Sequence, residues 1–152
     1  MDLWLVRHGE AVPEREDPTR PLTPEGARAI REVVNAVSGM MGPLDFVAAS
    51  GKKRAVQTAG IFAEAAGYPP GNIAETGALS PNATPEAFVS FLAECADAER
   101  LLAVGHLPSI AAIASYFLSP GDPVRLFFGP GTVCRIRVDA IRRGGGELLL
   151  FV

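Results

Sequence analysis

Short apolar runs alternate with longer amphipathic ones along this chain. Leu3-Trp4-Leu5-Val6 is a continuous apolar run, the pattern of a strand buried on both faces of a sheet. Thr23-Pro24-Glu25-Gly26 follows with three helix-start features. They are a hydroxyl that can cap, a proline suited to the first helical position, and an acid at the positive end of the helix dipole. Ala27, Ile30, Val33, Val34 and Val37 then recur at helical spacing, and Gly39 is expected to end the run. Asp45 to Ala49 reads as a second strand. Lys53 to about Ala66 reads as a helix closed by Gly67 and Pro69-Pro70, and Ile73 to Thr76 as a short strand.

The capped start recurs at Thr84-Pro85-Glu86, which predicts a helix over Ala87 to Ala96. Arg100 to Val104 is another apolar strand, and a helix carries Ile110, Ala111, Ile113, Ala114 and Phe117 from Pro108 to about Leu118. The style then changes. Arg125 to Phe128, Thr132 to Val138 and Glu147 to Val152 read as strands separated by glycine-rich turns, with Gly144-Gly145-Gly146 marking a hairpin. Strands alternating with helices predict an α/β fold of three layers, helices on both sides of a mostly parallel sheet of about six strands. The closely linked last strands predict an antiparallel edge. No repeat, low-complexity segment or linker interrupts the chain, so residues 1–152 are expected to form one domain. The stretch Pro13 to Pro21 is read as a loop over the strand ends.

Composition narrows the function classes. With 48% apolar and 20% charged residues, the chain can bury a continuous core. A net charge of −3 argues against general affinity for nucleic acid or anionic membrane. Arg7 interrupts the first apolar run, and no stretch approaches the roughly 20 apolar residues that span a bilayer. The expected location is cytoplasmic. Cys95 and Cys134 lie far apart and outside any Cys-x-x-Cys pair, and both are read as small buried hydrophobes. Trp4 is read as core.

The chemistry gathers at strand ends. The chain has two histidines. His8 follows the first strand in Arg7-His8-Gly9-Glu10, and His106 follows the fourth in Gly105-His106-Leu107-Pro108. Ser50 to Thr58 follows the second strand and opens the next helix. In open α/β sheets ligands bind outside the carboxyl ends of the strands, so Arg7, His8, Arg54 and His106 are expected on one rim. Two arginines and two imidazoles would repel one another unless an anion sits between them, and guanidinium matches phosphate with a fixed fork of donors. The residues therefore point to a tetrahedral oxyanion, most simply phosphate. A histidine there can bind, act as acid or base, or attack phosphorus. No group of His, Cys and carboxylates shows ligand spacing, and histidines beside arginines make a poor cation site. Neither a metal nor another cofactor is expected.

Arg7-His8-Gly9-Glu10 resembles the signature of the histidine phosphatase (phosphoglycerate mutase-like) superfamily. Ser50, Arg54-Ala55 and Gln57-Thr58 resemble its second block, and Gly105-His106 its third, so the resemblance spans residues 1 to about 118. The short length, Asp17-Pro18-Thr19-Arg20-Pro21-Leu22-Thr23 and His106-Leu107-Pro108 are similar to the SixA-type phosphohistidine phosphatase branch. The resemblance implies a phosphoglycerate mutase-like fold. It implies that His8 is the nucleophile and that Arg7 and Arg54 clamp the phosphoryl oxygens. His106 would donate to an equatorial oxygen, and Arg20 would reach in from its loop. Gly9 would serve close backbone approach, and Glu10 would orient the loop or act near the leaving group. One position departs: Gly51 stands where the second block often has proline.

Larger relatives of that family insert a helical segment carrying an acid before the fourth strand. Here only Gly67 to Arg100 is available, too short for a large cap. The open site fits a phosphorylated protein whose phosphate sits on histidine. Alternatives are a small phosphorylated metabolite such as a sugar or nucleotide phosphate, and, in another class, a non-catalytic phosphate-binding module. Lys52 and Lys53 are read as a solvated helix start. The sequence leaves the physiological substrate, any general acid and the oligomeric state open.

Overall fold

Leu3, Trp4, Leu5 and Val6 are fully buried and form the middle of β1 (Asp2–Arg7). The computed structural model describes residues 1–152. It adds five strands: β2 (Phe46–Ala49), β3 (Ala74–Glu75), β4 (Arg100–Gly105), β5 (Val133–Val138) and β6 (Gly146–Phe151). Four helices accompany them: α1 (Pro24–Met41), α2 (Lys53–Ala65), α3 (Pro85–Glu94) and α4 (Ser109–Leu118). The strands make one sheet in the order β3-β2-β4-β1-β5-β6. β1 pairs in parallel with β4, as β2 does with β4 and β3. β5 is antiparallel to both β1 and β6. It therefore runs against its neighbours, and the edge strand β6 returns in the direction of β1. This is the expected α/β sheet with antiparallel pairing at one side.

Successive side chains of a strand point to opposite faces, and β1 feeds two cores. Leu3 and Leu5 join a cluster with Phe88 and Leu92 of α3 and Ile110, Ile113 and Phe117 of α4. Trp4 and Val6 join Ile30 and Val34 of α1 with Ala59 and Phe62 of α2 on the other side. Helices thus cover both faces, as a sheet apolar on both sides requires. Cys134 lies in the first core at 0% exposure, and burial pushes its thiol up to about 12. Cys95, expected to be buried, is only partly so at the end of α3, and both thiols are free.

The caps Thr23 and Thr84 form as expected, each hydroxyl accepting from the backbone N–H three residues on. Three further expectations need correction. Gly39 does not end α1; the helix continues to Met41, whose side chain is buried, and Gly42 with φ 62° closes it. A mid-helix glycine costs only about 0.5–1 kcal/mol relative to alanine, less than burying a methionine returns. The helix α3 stops at Glu94, short of Ala96. Arg125 to Phe128 is not a strand but an irregular segment. Just before it the Val124 N–H donates to Ser115 Oγ, and at its end the Phe128 carbonyl accepts from Arg7. No helix is long and apolar enough to cross a membrane.

Candidate active site

The register of β1 on β4 sets the site. Arg7 lies opposite Gly105 at the carboxyl ends of the two strands, so His8 and His106 emerge side by side. The His8 N–H donates to the Gly105 carbonyl at 3.1 Å, and the two imidazole centroids are 4.8 Å apart, with planes tilted by 56°. The adjoining strand β2 ends level with Val104 and delivers Ser50 to His106: Ser50 Oγ is hydrogen-bonded to His106 Nε2.

The loop after β1 is held from below. Gly9 is buried, and its N–H donates to Thr58 Oγ1 at 3.1 Å; that hydroxyl in turn donates to the Arg54 carbonyl at 2.7 Å. An added Cβ on Gly9 would stand 2.8 Å from Ile30, which explains why the loop can lie so close to α1. Gln57 Oε1 accepts from the Leu22 N–H at 2.7 Å, tying the loop containing Arg20 to α2.

His8 has a defined tautomer. Its Nδ1 is 2.7 Å from the Gly9 carbonyl, and a carbonyl only accepts, so Nδ1 carries the proton. The lone pair is left on Nε2, where the Arg54 Nε–H points from 3.3 Å. Burial, together with Arg54, Arg7 and Arg20, lowers His8 from the usual 6.5 to about 4. Burial, then His8, Arg54, Lys52 and Arg20, lowers His106 to about 3. Both imidazoles are therefore neutral near pH 7, held there by burial and by neighbouring cations.

The other expected residues fall as follows. Arg7 donates from one terminal nitrogen to the Phe128 carbonyl at 2.8 Å, while burial lowers its pKa. Burial and Arg20 lower that of Arg54. Arg20 has φ 47° and donates from Nε to the Val12 carbonyl at 3.1 Å, within electrostatic reach of both histidines. Glu10 is exposed, and its carbonyl accepts from the Thr23 N–H at the start of α1. Lys52 and Lys53 are exposed. Two buried nitrogens, Arg7 Nε and His106 Nδ1, have no protein partner. Unpaired buried donors in a positive pocket are what a tetrahedral oxyanion would satisfy. No group of three or more His, Cys, Asp or Glu side chains is placed to hold a metal ion.

Residues 3–76 match the model of the histidine phosphatase superfamily, branch 1. That matched span is just under half of the chain and carries its likeness to the superfamily. The chain is a phosphatase with the phosphoglycerate mutase-like fold. The match runs from β1 to just past β3; the likeness to solved structures covers the remainder. The chain is similar to the protein histidine phosphatase SixA complexed with tungstate, with TM-score 0.86 and 22% identity over 100% of this chain and 96% of that one. A SixA-type protein from Nakamurella multipartitia gives TM-score 0.79 and 26% identity over 99% and 94%. The alpha-ribazole phosphatase from Shigella flexneri gives 0.75 and 16% over 99% and 96%. No curated protein matches the chain by sequence.

Two parts of this site had no signal in the sequence. The Phe128 carbonyl that holds Arg7 is a backbone group in a segment that reads as a strand. The Thr132 carbonyl that accepts from the Arg7 N–H at 3.1 Å is likewise backbone. Ser50, Gln57 and Thr58 were visible as motif positions, but not the atoms they would touch.

Proposed function

We propose that this phosphatase removes phosphate from phosphohistidine on a protein, through a phosphorylated His8 and without a metal ion. The observation that carries the mechanism is the His8 hydrogen bond to the Gly9 carbonyl, which leaves an unprotonated Nε2 among arginines. A neutral imidazole whose lone pair faces the anion pocket is a ready nucleophile.

In the first step His8 Nε2 forms a bond to phosphorus while the bond from phosphorus to the leaving imidazole nitrogen breaks; that nitrogen takes a proton from water. In the second, water attacks the phosphorus, the bond to His8 Nε2 breaks, and inorganic phosphate leaves. Arg7 and Arg54 neutralise the equatorial oxygens, as phosphoryl transfer chiefly requires. Arg20 adds a further positive charge from its loop. His106 donates from Nδ1 when its Nε2 accepts the Ser50 hydroxyl proton. The Lys52 N–H donating to Ser50 Oγ at 3.4 Å is compatible with that direction.

The substrate class is argued from what surrounds the site. Between β3 and β4 stand only a 3-10 turn, Gly77–Leu79, and α3. Phe88 and Leu92 commit α3 to the core beside α4, so it does not cap the pocket. An uncovered site admits a protein-borne phosphate. No carboxylate is among the charges that shift either histidine, which suits a leaving imidazole, a far weaker base than an alkoxide.

A substrate panel with chelator present tests this. Phosphate release from a phosphohistidine peptide should exceed that from sugar and nucleotide phosphates in kcat/KM, and His8→Ala should abolish it. A single metabolite preferred over phosphohistidine would favour a small-molecule phosphatase. Vanadate binding with no turnover of any substrate would indicate a phosphate-binding module.

A further inference from the structure

Along the outer side of α4 lies a groove that the chemistry above does not use. It has a volume of about 440 Å³, and its walls include Ala112 and Tyr116 of α4 and Val124, Arg125 and Phe127 of the irregular segment. Phe127 is 95% exposed and Val124 41%. Single exposed apolar side chains are ordinary; several gathered on one groove mark an interaction surface. Leu107, directly after His106, is exposed as well.

The groove is cationic although the chain is acidic overall. Arg125 is exposed, with no ion pair or hydrogen bond to its side chain. Arg143 lies 4.6 Å over the Tyr116 ring and 3.7 Å from Glu86. The groove also adjoins the site through the chain itself. Phe127 precedes Phe128, whose carbonyl holds Arg7, and α4 begins three residues after His106.

Building on the protein-phosphohistidine reading, we propose that this groove docks a segment of the phosphoprotein that carries apolar side chains and carboxylates. An apolar anchor against Phe127 and Val124, with a carboxylate at Arg125, holds the phosphorylated histidine over His8. Free phosphohistidine carries no flanking segment to fill the groove. Contacts made equally in the ground and transition states act on KM, not kcat.

The test uses free phosphohistidine and two phosphohistidine peptides, one flanked by Leu, Phe and Glu, the other by Gly and Ser. Wild-type kcat/KM should be at least tenfold higher for the first peptide, through KM. In Phe127→Ala/Arg125→Glu that preference should fall below about threefold, with hydrolysis of free phosphohistidine unchanged. Equal use of both peptides by the wild type, or an equal loss on all three substrates in the variant, would overturn the proposal. So would a wild-type dimer that Phe127→Ala converts to monomer, which would assign the groove to a second copy. If the wild type hydrolyses neither peptide nor free phosphohistidine, the substrate reading itself fails, and the docking proposal goes with it.

Discussion

Arg54 Nε stands 3.3 Å from His8 Nε2, so a cation and a lone pair share one end of the pocket. In the proposed mechanism Arg54 both orients the imidazole and offers its fork to an incoming anion. Arg54→Ala is therefore expected to lower kcat/KM by about 10²–10³, the usual loss when one positioned donor to transition-state charge is removed. Arg54→Lys should recover little, because a point charge cannot reproduce the planar fork. Steady-state kinetics on a phosphohistidine peptide check both variants; full activity in Arg54→Ala would contradict the role.

The two histidines should titrate far below their usual range. His8 is expected to protonate near pH 4 and His106 near pH 3, because burial and surrounding cations oppose a further positive charge. Nitrogen-15 NMR of the imidazoles reads this directly, since the chain has only two. His8 should show a protonated Nδ1 and a bare Nε2 at pH 7; a midpoint near 6.5 would contradict the geometry. Linkage gives a second readout. The unfolded chain takes up protons near pH 6.5 while the folded one does not, so this contribution to stability is intact above about 6.5. It is lost as pH falls from there towards about 4.

Ser50 is fully buried and hydrogen-bonded to His106 Nε2. Ser50→Ala leaves that nitrogen without its partner, and the expected loss of stability is about 1–3 kcal/mol, the cost of an unsatisfied buried polar group. The variant also frees the His106 tautomer, so kcat should fall while KM changes little. Urea unfolding with parallel kinetics separates the two effects.

The approach of the His8 loop to α1 depends on Gly26. A Cβ there would stand 2.2 Å from the Glu10 carbonyl oxygen, a clash with backbone that no rotamer relieves. Gly26→Ala should destabilise the fold by about 1–3 kcal/mol, as overpacking commonly does, and should lower kcat by displacing Gly9 and His8. A thermal melt with an activity assay tests it.

Much of this site was legible because strand ends do the placing. The run Leu3 to Val6 identifies a buried strand, and a parallel partner ending at Gly105 brings His106 beside His8. The rest failed for physical reasons. Leu126, Phe127 and Phe128 read as strand because an apolar pattern does not say which side is wet; Phe128 is buried and Phe127 faces solvent. Gly39 reads as the helix end, whereas Gly42, with its positive φ, closes the helix. Backbone carbonyls such as those of Gly9 and Phe128 carry no side-chain signature, yet they set the His8 tautomer and hold Arg7.

A rapid-quench reaction under alkaline conditions, which preserve a phosphorylated imidazole, followed by peptide mass spectrometry tests the central claim most directly. The account predicts a phosphoryl group on His8 during turnover of a phosphohistidine peptide in chelator, and neither label nor phosphate release in His8→Ala. Label on His106 instead, or sustained turnover by His8→Ala, would contradict it.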